Sequence, residues 1–183
     1  MKKIFTVIAT LIFSLSYAQE ENIVRNENKH EFRLDALEIL AIPNLEINYE
    51  YILNKYSGAG IAASVSLDND YKEYQAYSIS PYYRQYFLNK KDFGARGMFV
   101  EGLLRFAGGE VETNDFNSPT PVNNTTNEGN WFDIGVGLVV GQKWVSDNGF
   151  VFEVSLGGGR YLLDESNNEG FFRGGVLIGY RFF

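Results

Sequence analysis

The sequence predicts an all-β fold, an antiparallel up-and-down β-barrel of about eight strands. The first observation is that apolar residues alternate with polar or small ones in segment after segment along the chain. The second is composition: 19 glycines and an aromatic share of 16%, with only 4 prolines, are typical of many closely packed strands. The third is the turn chemistry between segments, of which Asp147-Asn148-Gly149 is the clearest example.

The predicted strands follow one another along the whole chain after its first 30 residues. Their alternating segments are 31–42, 45–51, 61–67, 77–87, 98–106, 132–141, 150–159 and 172–183. The last of these ends the chain on Tyr-Arg-Phe-Phe, with large apolar side chains at most even positions. In the first segment Glu38 interrupts the face that holds Phe32, Leu34 and Ala36.

The beginning of the chain predicts export. Lys2 and Lys3 precede an apolar run from Ile4 to Leu15, and Ser16-Tyr17-Ala18 matches a cleavage site. The run is shorter than the roughly 20 apolar residues of a membrane-spanning helix. We therefore expect a signal peptide at 1–18, a periplasmic N-terminal segment at 19–29 and a barrel domain at 30–183.

Charge and cysteine content exclude several classes. The chain has 16 basic and 23 acidic residues; without Lys2 and Lys3 the balance is 14 against 23, a net charge of −9. Such acidity argues against nucleic acid as a partner, because phosphate binding requires a basic face. With no cysteine, the chain has neither a lipidated cysteine nor a disulfide.

The distribution of glycine predicts which face of each strand points inward. The charged residues of the strands share a face with glycines, listed as Gly135, Gly137, Gly141, Gly157, Gly159, Gly175 and Gly179. Tiny neighbours leave room for long charged side chains inside a narrow barrel, whereas a solvent-exposed face gains nothing from glycine. We therefore predict a transmembrane barrel with its apolar face on lipid. The alternative is a soluble periplasmic β-barrel that carries an apolar ligand.

The connections fit a barrel with both termini in the periplasm. Short periplasmic turns are expected at Asn54–Ser57, Asn89–Asp92 and Ser146–Gly149. Outer loops are expected at Asp68–Tyr74, Gly108–Asn130 and Asp164–Gly170, with a tight turn near Pro43-Asn44. The longest, Gly108–Asn130, is interpreted as a mobile surface loop or as a hairpin that extends briefly above the membrane.

Three segments carry a resemblance to a known class of proteins: Glu46–Glu50, Ile79–Arg84 and Gly175–Phe182. With the export signal, they resemble small outer-membrane β-barrel proteins of Gram-negative bacteria, and among these a Bacteroidota-type family without assigned activity. The resemblance implies a monomer in the cell outer membrane, in contact with outer-membrane lipid and lipopolysaccharide. It also implies recognition by the barrel-assembly machinery through Tyr180, Phe182 and Phe183. The usual terminal signal ends on a single Phe; here Phe182 has the position of that residue in the alternation, and Phe183 is an added residue.

The same face assignment predicts a charged lumen. Its predicted members are Glu50, Arg84, Glu101, Arg105, Asp133, Glu153, Arg173 and Arg181, and Glu46 and Lys143 share their phase. One hypothesis is a structural network of ion pairs, since an unpaired buried charge costs several kcal/mol. The other is a gated or narrow ion path along the same residues. A wide solute pore is not expected, because porins have about twice as many strands.

Catalysis is not predicted. The single histidine, His30, stands at the start of the first strand, and no serine has an evident base partner. The Gly135–Gly141 run does not match a nucleotide-binding loop, and Asp68-Asn69-Asp70 does not match a calcium loop. We expect no cofactor and no metal. The predicted function is a structural, adhesive or accessory role in the cell envelope. The acidic outer loops are expected to form a hydrated surface, a site for divalent-cation bridging to lipopolysaccharide, or a docking site for a basic surface partner.

Overall fold

In a computed structural model, eight antiparallel strands form a closed barrel, as the sequence predicts. The structure describes residues 29–41, 43–68, 72, 74–87, 94–113, 127–163 and 169–182. The strands are β1 His30–Asp35, β2 Asn44–Asn54, β3 Ser57–Ser66, β4 Tyr77–Phe87, β5 Gly97–Thr113, β6 Asn127–Val145, β7 Phe150–Tyr161 and β8 Gly170–Phe182. The predicted signal peptide, most of segment 19–29, and Phe183 lie outside the described residues.

Each strand pairs with its neighbours in the sequence, and the barrel closes between the first strand and the last. In β1 and β8 the register runs from His30 opposite Phe182 to Asp35 opposite Leu177. This closure gives every strand two hydrogen-bonding neighbours, which removes the open edges of a flat sheet. No helix among the residues described is long and apolar enough to cross a membrane.

The two faces of the wall differ sharply in chemistry. Large apolar side chains point outward; Leu138, for example, is 67% exposed. On the same strand, Asp133 and Lys143 point inward and are 0% exposed. The predicted alternation is therefore confirmed, and the polar face is the interior of the barrel.

The first strand is shorter than predicted. The predicted strand 31–42 ends at Asp35, and a helix, α1 (Ala36–Ala41), takes the place of its second half and of the tight turn near Pro43. Asp35 initiates this helix, because its Oδ1 accepts hydrogen bonds from the amides of Leu37 (2.9 Å) and Glu38 (3.1 Å). Glu38, which interrupts the alternation in the sequence, therefore lies on a helix and not in a strand.

The two ends of the barrel have different connections. At the turn end, Asn54–Ser57 and Ser146–Gly149 are tight turns as predicted, and Gly149 adopts a φ of 89°. At the opposite, loop end lie α1 and the β5–β6 hairpin. That hairpin continues to Thr113 and Asn127, so the hairpin interpretation of the longest loop is correct for its base. Residues 114–126 and 164–168, the Asn89–Asp92 turn, and most of Asp68–Tyr74 lie outside the described part of the chain.

Candidate functional site: the charged lumen

The centre of the lumen is occupied by Arg84, which reaches from β4 to three carboxylates. Its Nη1 and Nη2 donate to Glu153 at 2.7 and 2.9 Å, and its Nε donates to Glu101 at 2.6 Å. Nη1 also lies 3.2 Å from Oε2 of Glu50. Paired guanidinium–carboxylate bonds of this kind are among the strongest polar contacts in proteins.

Arg33 of β1 extends the network toward the turn end. Its guanidinium lies 2.5 Å from Glu153, 2.8 Å from Glu50 and 3.0 Å from Glu31. The Nζ of Lys143 bridges the same region, at 2.9 Å from Glu31 and 3.1 Å from Glu50. Each carboxylate in this layer therefore serves more than one cation.

Two further arginines carry the network to both ends of the barrel. Toward the loop end, Arg173 donates to Glu101 at 3.0 Å and to Glu46 at 3.0 and 3.2 Å. At the turn end, Arg181 donates to Glu31 at 2.7 and 2.9 Å. The network thus joins five cations to five carboxylates, listed as Arg33, Arg84, Lys143, Arg173 and Arg181 with Glu31, Glu46, Glu50, Glu101 and Glu153. Its formal charges cancel.

Aromatic rings fill the lumen between these charges. The buried ones are Tyr82, Tyr86, Phe99, Trp131, Tyr161 and Phe171. They lie against glycines of the wall: a Cβ added to Gly141 would stand 2.5 Å from the ring of Phe99, and one added to Gly135 would stand 2.5 Å from Phe171. The glycines therefore make room for rings as well as for charged side chains.

At the loop end the lumen is closed by Gln75, which is 2% exposed. Its Nε2 donates to Ser64 at 2.9 Å, and its Oε1 accepts from Arg105 at 2.5 Å. Arg105 also lies over the ring of Phe171, 4.8 Å from its centroid. Gln75 lies between β3 and β4, so its side chain reaches from that connection into the mouth of the barrel.

At the turn end the segment before β5 closes the barrel. Arg181 donates to the carbonyl oxygens of Gly94 at 2.7 Å and Ala95 at 2.8 Å. Ala95 is fully buried and has a φ of 52°, an uncommon conformation for a residue with a Cβ. The segment is thus held across the opening by the same arginine that ends the ion network.

One cavity inside the barrel is small. A cavity of about 10 Å³ lies between Asp35, Glu46, Glu153 and Arg173, which is room for one water molecule. Among the residues that the structure describes, no group of three or more His, Cys, Asp or Glu side chains could hold a metal ion.

A second group of carboxyls surrounds α1. Glu38 accepts a hydrogen bond from Asn44 Nδ2 at 2.7 Å. Burial, together with the nearby carboxylates of Glu46 and Asp35, raises the pKa of Glu38 from 4.5 to about 7. This group therefore changes charge near neutral pH.

The structure brings together six of these eight predicted lumen residues: Glu50, Arg84, Glu101, Glu153, Arg173 and Arg181. The other two lie toward the loop end in different surroundings. Arg105 binds Gln75 and the carbonyl oxygen of Phe172, and Asp133 accepts hydrogen bonds from the amides of Ile134, Leu162 and Leu163.

Two central members, Glu31 and Arg33, are absent from the sequence-based prediction. Both alternate with Phe32 and Leu34, so the same period of two that found the others indicates an inward position. The six lumen aromatics carry the same signal, because each has the phase of an inward charged residue on its strand, as Tyr82 and Tyr86 have that of Arg84.

Comparisons with known proteins agree with the architecture. No family model and no curated protein matches the chain. Among solved structures, the N-terminal β-barrel domain of Pseudomonas aeruginosa OprF matches with a TM-score of 0.59 and 15% identity, over 85% of this chain and 98% of that one. At this identity the likeness shows the fold alone, and the finer resemblance to a Bacteroidota-type family stays a prediction. The protein is a closed eight-stranded antiparallel barrel, similar in fold to the OprF β-barrel domain.

Proposed function

We propose that the protein is an integral outer-membrane β-barrel with a sealed lumen and a structural, adhesive or accessory role in the cell envelope, without catalysis. The observation that carries the proposal is the outward face. It has an aliphatic middle, listed as Ile47, Ile61, Ile79, Leu104, Val136, Leu138, Val140, Val154, Leu156 and Ile178. Exposed aromatics flank it: Tyr51, Phe87, Trp144, Phe150 and Tyr180 toward the turn end, and Tyr77, Phe132 and Phe172 toward the loop end. An apolar band between two aromatic girdles is typical of membrane barrels.

The lumen supports a structural role. The ten charges of its ion network pair with one another and need no counterion, and the cavity beside Arg173 has room for one water. The proposed orientation puts the turn end in the periplasm and the loop end outside. The barrel then acts through its surfaces rather than through a channel.

The proposed partners follow from this location. Outer-membrane lipid and lipopolysaccharide contact the apolar band, and the barrel-assembly machinery recognises Tyr180, Phe182 and Phe183 during insertion. His30 takes no catalytic part: its Nδ1 lies 2.8 Å from the hydroxyl of Tyr49, and its ring packs against Tyr51. The alternative of a soluble barrel with an apolar ligand is less favoured, because ions and rings fill the lumen.

Quenching by lipid tests the membrane location. Single cysteines replace Val136 and Ile178 on the outer wall, and Asp147 in a turn serves as the control. After reconstitution into vesicles that contain lipids with quenchers on their acyl chains, fluorophores at the first two positions should be quenched and the one at Asp147 should not. Equal quenching at all three positions would contradict the proposal.

Two further measurements separate the remaining alternatives. Retention in the outer-membrane fraction after a carbonate wash, with heat-dependent migration on gels, is expected of the membrane barrel and not of a soluble one. In a planar bilayer the unmodified protein should show no steady conductance. Steady channels would instead favour the narrow ion path.

A further inference from the structure

Arg105 is a lumen arginine whose hydrogen-bond partners are neutral. Its guanidinium donates to the amide oxygen of Gln75 and to the carbonyl oxygen of Phe172. It forms no ion pair with a carboxylate of the described residues, whereas the four arginines of the ion network each bind at least one glutamate. Arg105 is nevertheless buried, with an exposure of 5%. Because a buried cation without an anionic partner is destabilising, Arg105 is a candidate for binding an anion.

The hydrogen bonds of Arg105 leave half of one guanidinium edge unused. In arginine, Nε and Nη2 direct two N–H groups the same way and form an edge that the two oxygens of a carboxylate can occupy together. Gln75 presents one oxygen to this edge, and that oxygen accepts from Nη2 at 2.5 Å. The neighbouring Nε is buried and has no hydrogen-bond partner in the described part of the chain. The Gln75 amide thus lies where a carboxylate could bind, but it supplies only one of the two acceptors.

A second polar atom without a partner lies beside Arg105. Ser80 of β4 falls opposite Arg105 of β5, one residue along the register from the pair of Ile79 and Phe106, and both side chains point into the barrel. Residues opposite each other on antiparallel strands have Cβ atoms about 4.5–5.5 Å apart. The Oγ of Ser80 is buried and has no hydrogen-bond partner among the described residues. Buried polar atoms without partners are uncommon in folded proteins, and two of them side by side indicate a place for a bound group.

Hydroxyl groups and an aromatic ring surround the same place. The Nε2 of Gln75 donates to Ser64 at 2.9 Å, and the hydroxyl of Ser64 lies 2.7 Å from that of Ser78. Because a hydroxyl can turn and either donate or accept, Ser64 can bind an acceptor oxygen as well as the amide nitrogen of Gln75. The ring of Phe171 lies over the guanidinium of Arg105, 4.8 Å from its centroid, which leaves the edge of the guanidinium to hydrogen-bond acceptors.

Shape and charge favour a carboxylate over a phosphate at this place. The amide of Gln75 is planar and has nearly the size of a carboxylate, whereas a phosphate is tetrahedral and carries up to two charges. The charges of Glu46 and Glu38 also act on Arg105, although Glu46 binds Arg173 at 3.0 Å and Glu38 accepts from Asn44. Both would repel a doubly charged ion more strongly than a singly charged one.

We propose that the loop end of the lumen binds the carboxylate group of a small molecule, which displaces the Gln75 amide and accepts from Nε and Nη2 of Arg105 and from Ser80. Gln75 belongs to the connection between β3 and β4, so its side chain can leave the mouth of the barrel without breaking a pair of strands. The site lies outside the ion network, whose charges cancel, and it does not depend on the proposed membrane location.

Urea unfolding in acetate tests the site, with acetate as the carboxylate probe. The unfolding midpoint of the refolded full chain is measured at one neutral pH in sodium acetate and in sodium chloride of equal ionic strength. Because a ligand that binds only the folded state stabilises it, the midpoint should be higher in acetate and should rise further with acetate concentration. That concentration dependence gives an apparent Kd. In Arg105→Gln the affinity for acetate should fall at least about tenfold, because a charged donor is lost.

Two substitutions of Gln75 should have opposite effects on the response to acetate. Gln75→Ala removes the side chain that competes for the site, so acetate should bind about tenfold more tightly than to the unaltered protein. Gln75→Glu supplies a carboxylate from within the chain, so the midpoint should respond to acetate no more than that of Arg105→Gln. Gln85→Ala, outside the lumen, is the matched control and should bind acetate as the unaltered protein does.

Three results would overturn the proposal. An equal response to acetate in the unaltered protein and in Arg105→Gln would show a general effect of the salt on stability. A response in Gln75→Glu as large as in Gln75→Ala would show that acetate does not bind at the Gln75 amide; both of these variants keep Arg105, so this comparison stands even if Arg105→Gln does not fold. Inorganic phosphate should stabilise less than acetate at equal ionic strength, and a larger effect of phosphate would contradict a carboxylate site.

Discussion

Arg84 and Glu153 join opposite sides of the barrel through two parallel hydrogen bonds of 2.7 and 2.9 Å, from β4 to β7. Neither residue is exposed by more than 2%. These strands are not neighbours in the wall. The ion pair therefore fixes the width of the lumen, which the hydrogen bonds between neighbouring strands alone do not fix. The same glutamate accepts from Arg33 of β1, which ties a third strand to the pair.

Removing Arg84 should destabilise the barrel strongly. Arg84→Ala leaves Glu50, Glu101 and Glu153 without their shared cation, and breaking a buried ion pair in this way costs about 3–5 kcal/mol. The exposed Arg160 is the matched control, because Arg160→Ala removes an arginine from the outside of the wall and should cost at most about 0.5 kcal/mol. Urea unfolding of the refolded protein, followed by tryptophan fluorescence, measures both. Equal losses in the two variants would show that the network does not hold the lumen together.

The sequence predicted much of this arrangement, but not the partner of each charge. A period of two is enough to place Arg84 and Glu153 on the inner face, since it depends on neighbouring residues alone. Which of the inward carboxylates meets Arg84 depends on the closure and stagger of the barrel, and 69 residues separate it from Glu153. Helix α1 escaped prediction for a different reason: its cap at Asp35 is local, but Phe32, Leu34 and Ala36 continue the alternation of a strand past that residue.

The glycines of the inner face should be sensitive to a methyl group where a ring covers them. In Gly141→Ala the added Cβ would lie 2.5 Å from Phe99 and 2.7 Å from the carbonyl oxygen of Val154, so overpacking should cost about 1–3 kcal/mol. Gly102 is the matched control, since a Cβ there meets nothing within 4 Å. Gly102→Ala should be neutral or stabilising by up to about 1 kcal/mol, because it lowers the backbone entropy of the unfolded chain. If both substitutions change the free energy of unfolding in urea equally, the packing of the lumen rings does not require glycine at position 141.

Phe182 should have two separable roles. Its ring stacks on Phe32 across the closing seam, at 5.5 Å between centroids and an interplanar angle of 5°. Phe182→Ala and Phe32→Ala should therefore lower the free energy of unfolding in vitro by similar amounts. Loss of a fully buried ring costs about 3–5 kcal/mol, and the loss here should be smaller because both rings are partly exposed.

In cells the two substitutions should differ, because only Phe182 belongs to the proposed assembly signal. Pulse-chase measurement of the heat-modifiable form should show slower insertion for Phe182→Ala than for Phe32→Ala. Equal insertion rates would mean that Phe182 acts only through its contact with Phe32 and is not part of an assembly signal.

The stability of the barrel should decrease as pH rises through the range in which Glu38 ionises. The pKa of Glu38 is raised from 4.5 to about 7 by burial and by Glu46 and Asp35, so between these values the folded protein binds a proton that the unfolded chain has released. The contribution of Glu38 to the free energy of unfolding is thus complete below about pH 4.5 and is lost as pH rises through about 7. This loss is at most about 3 kcal/mol.

Glu38→Gln should abolish this pH dependence, because the amide cannot ionise while its oxygen still accepts the hydrogen bond from Asn44. Relative to the unaltered protein, the variant should therefore gain stability above about pH 8 and change little near pH 5. The midpoint temperature of the heat-induced gel shift, measured at both pH values, gives the comparison. The gain results from removing a charge and not from new packing. Glu46→Gln removes one of the repelling carboxylates, so it should also raise stability above about pH 8. The net effect should be smaller than in Glu38→Gln, because Arg173 then loses an acceptor. A Glu38→Gln variant with the same gain at both pH values would mean that its charge is not what opposes folding.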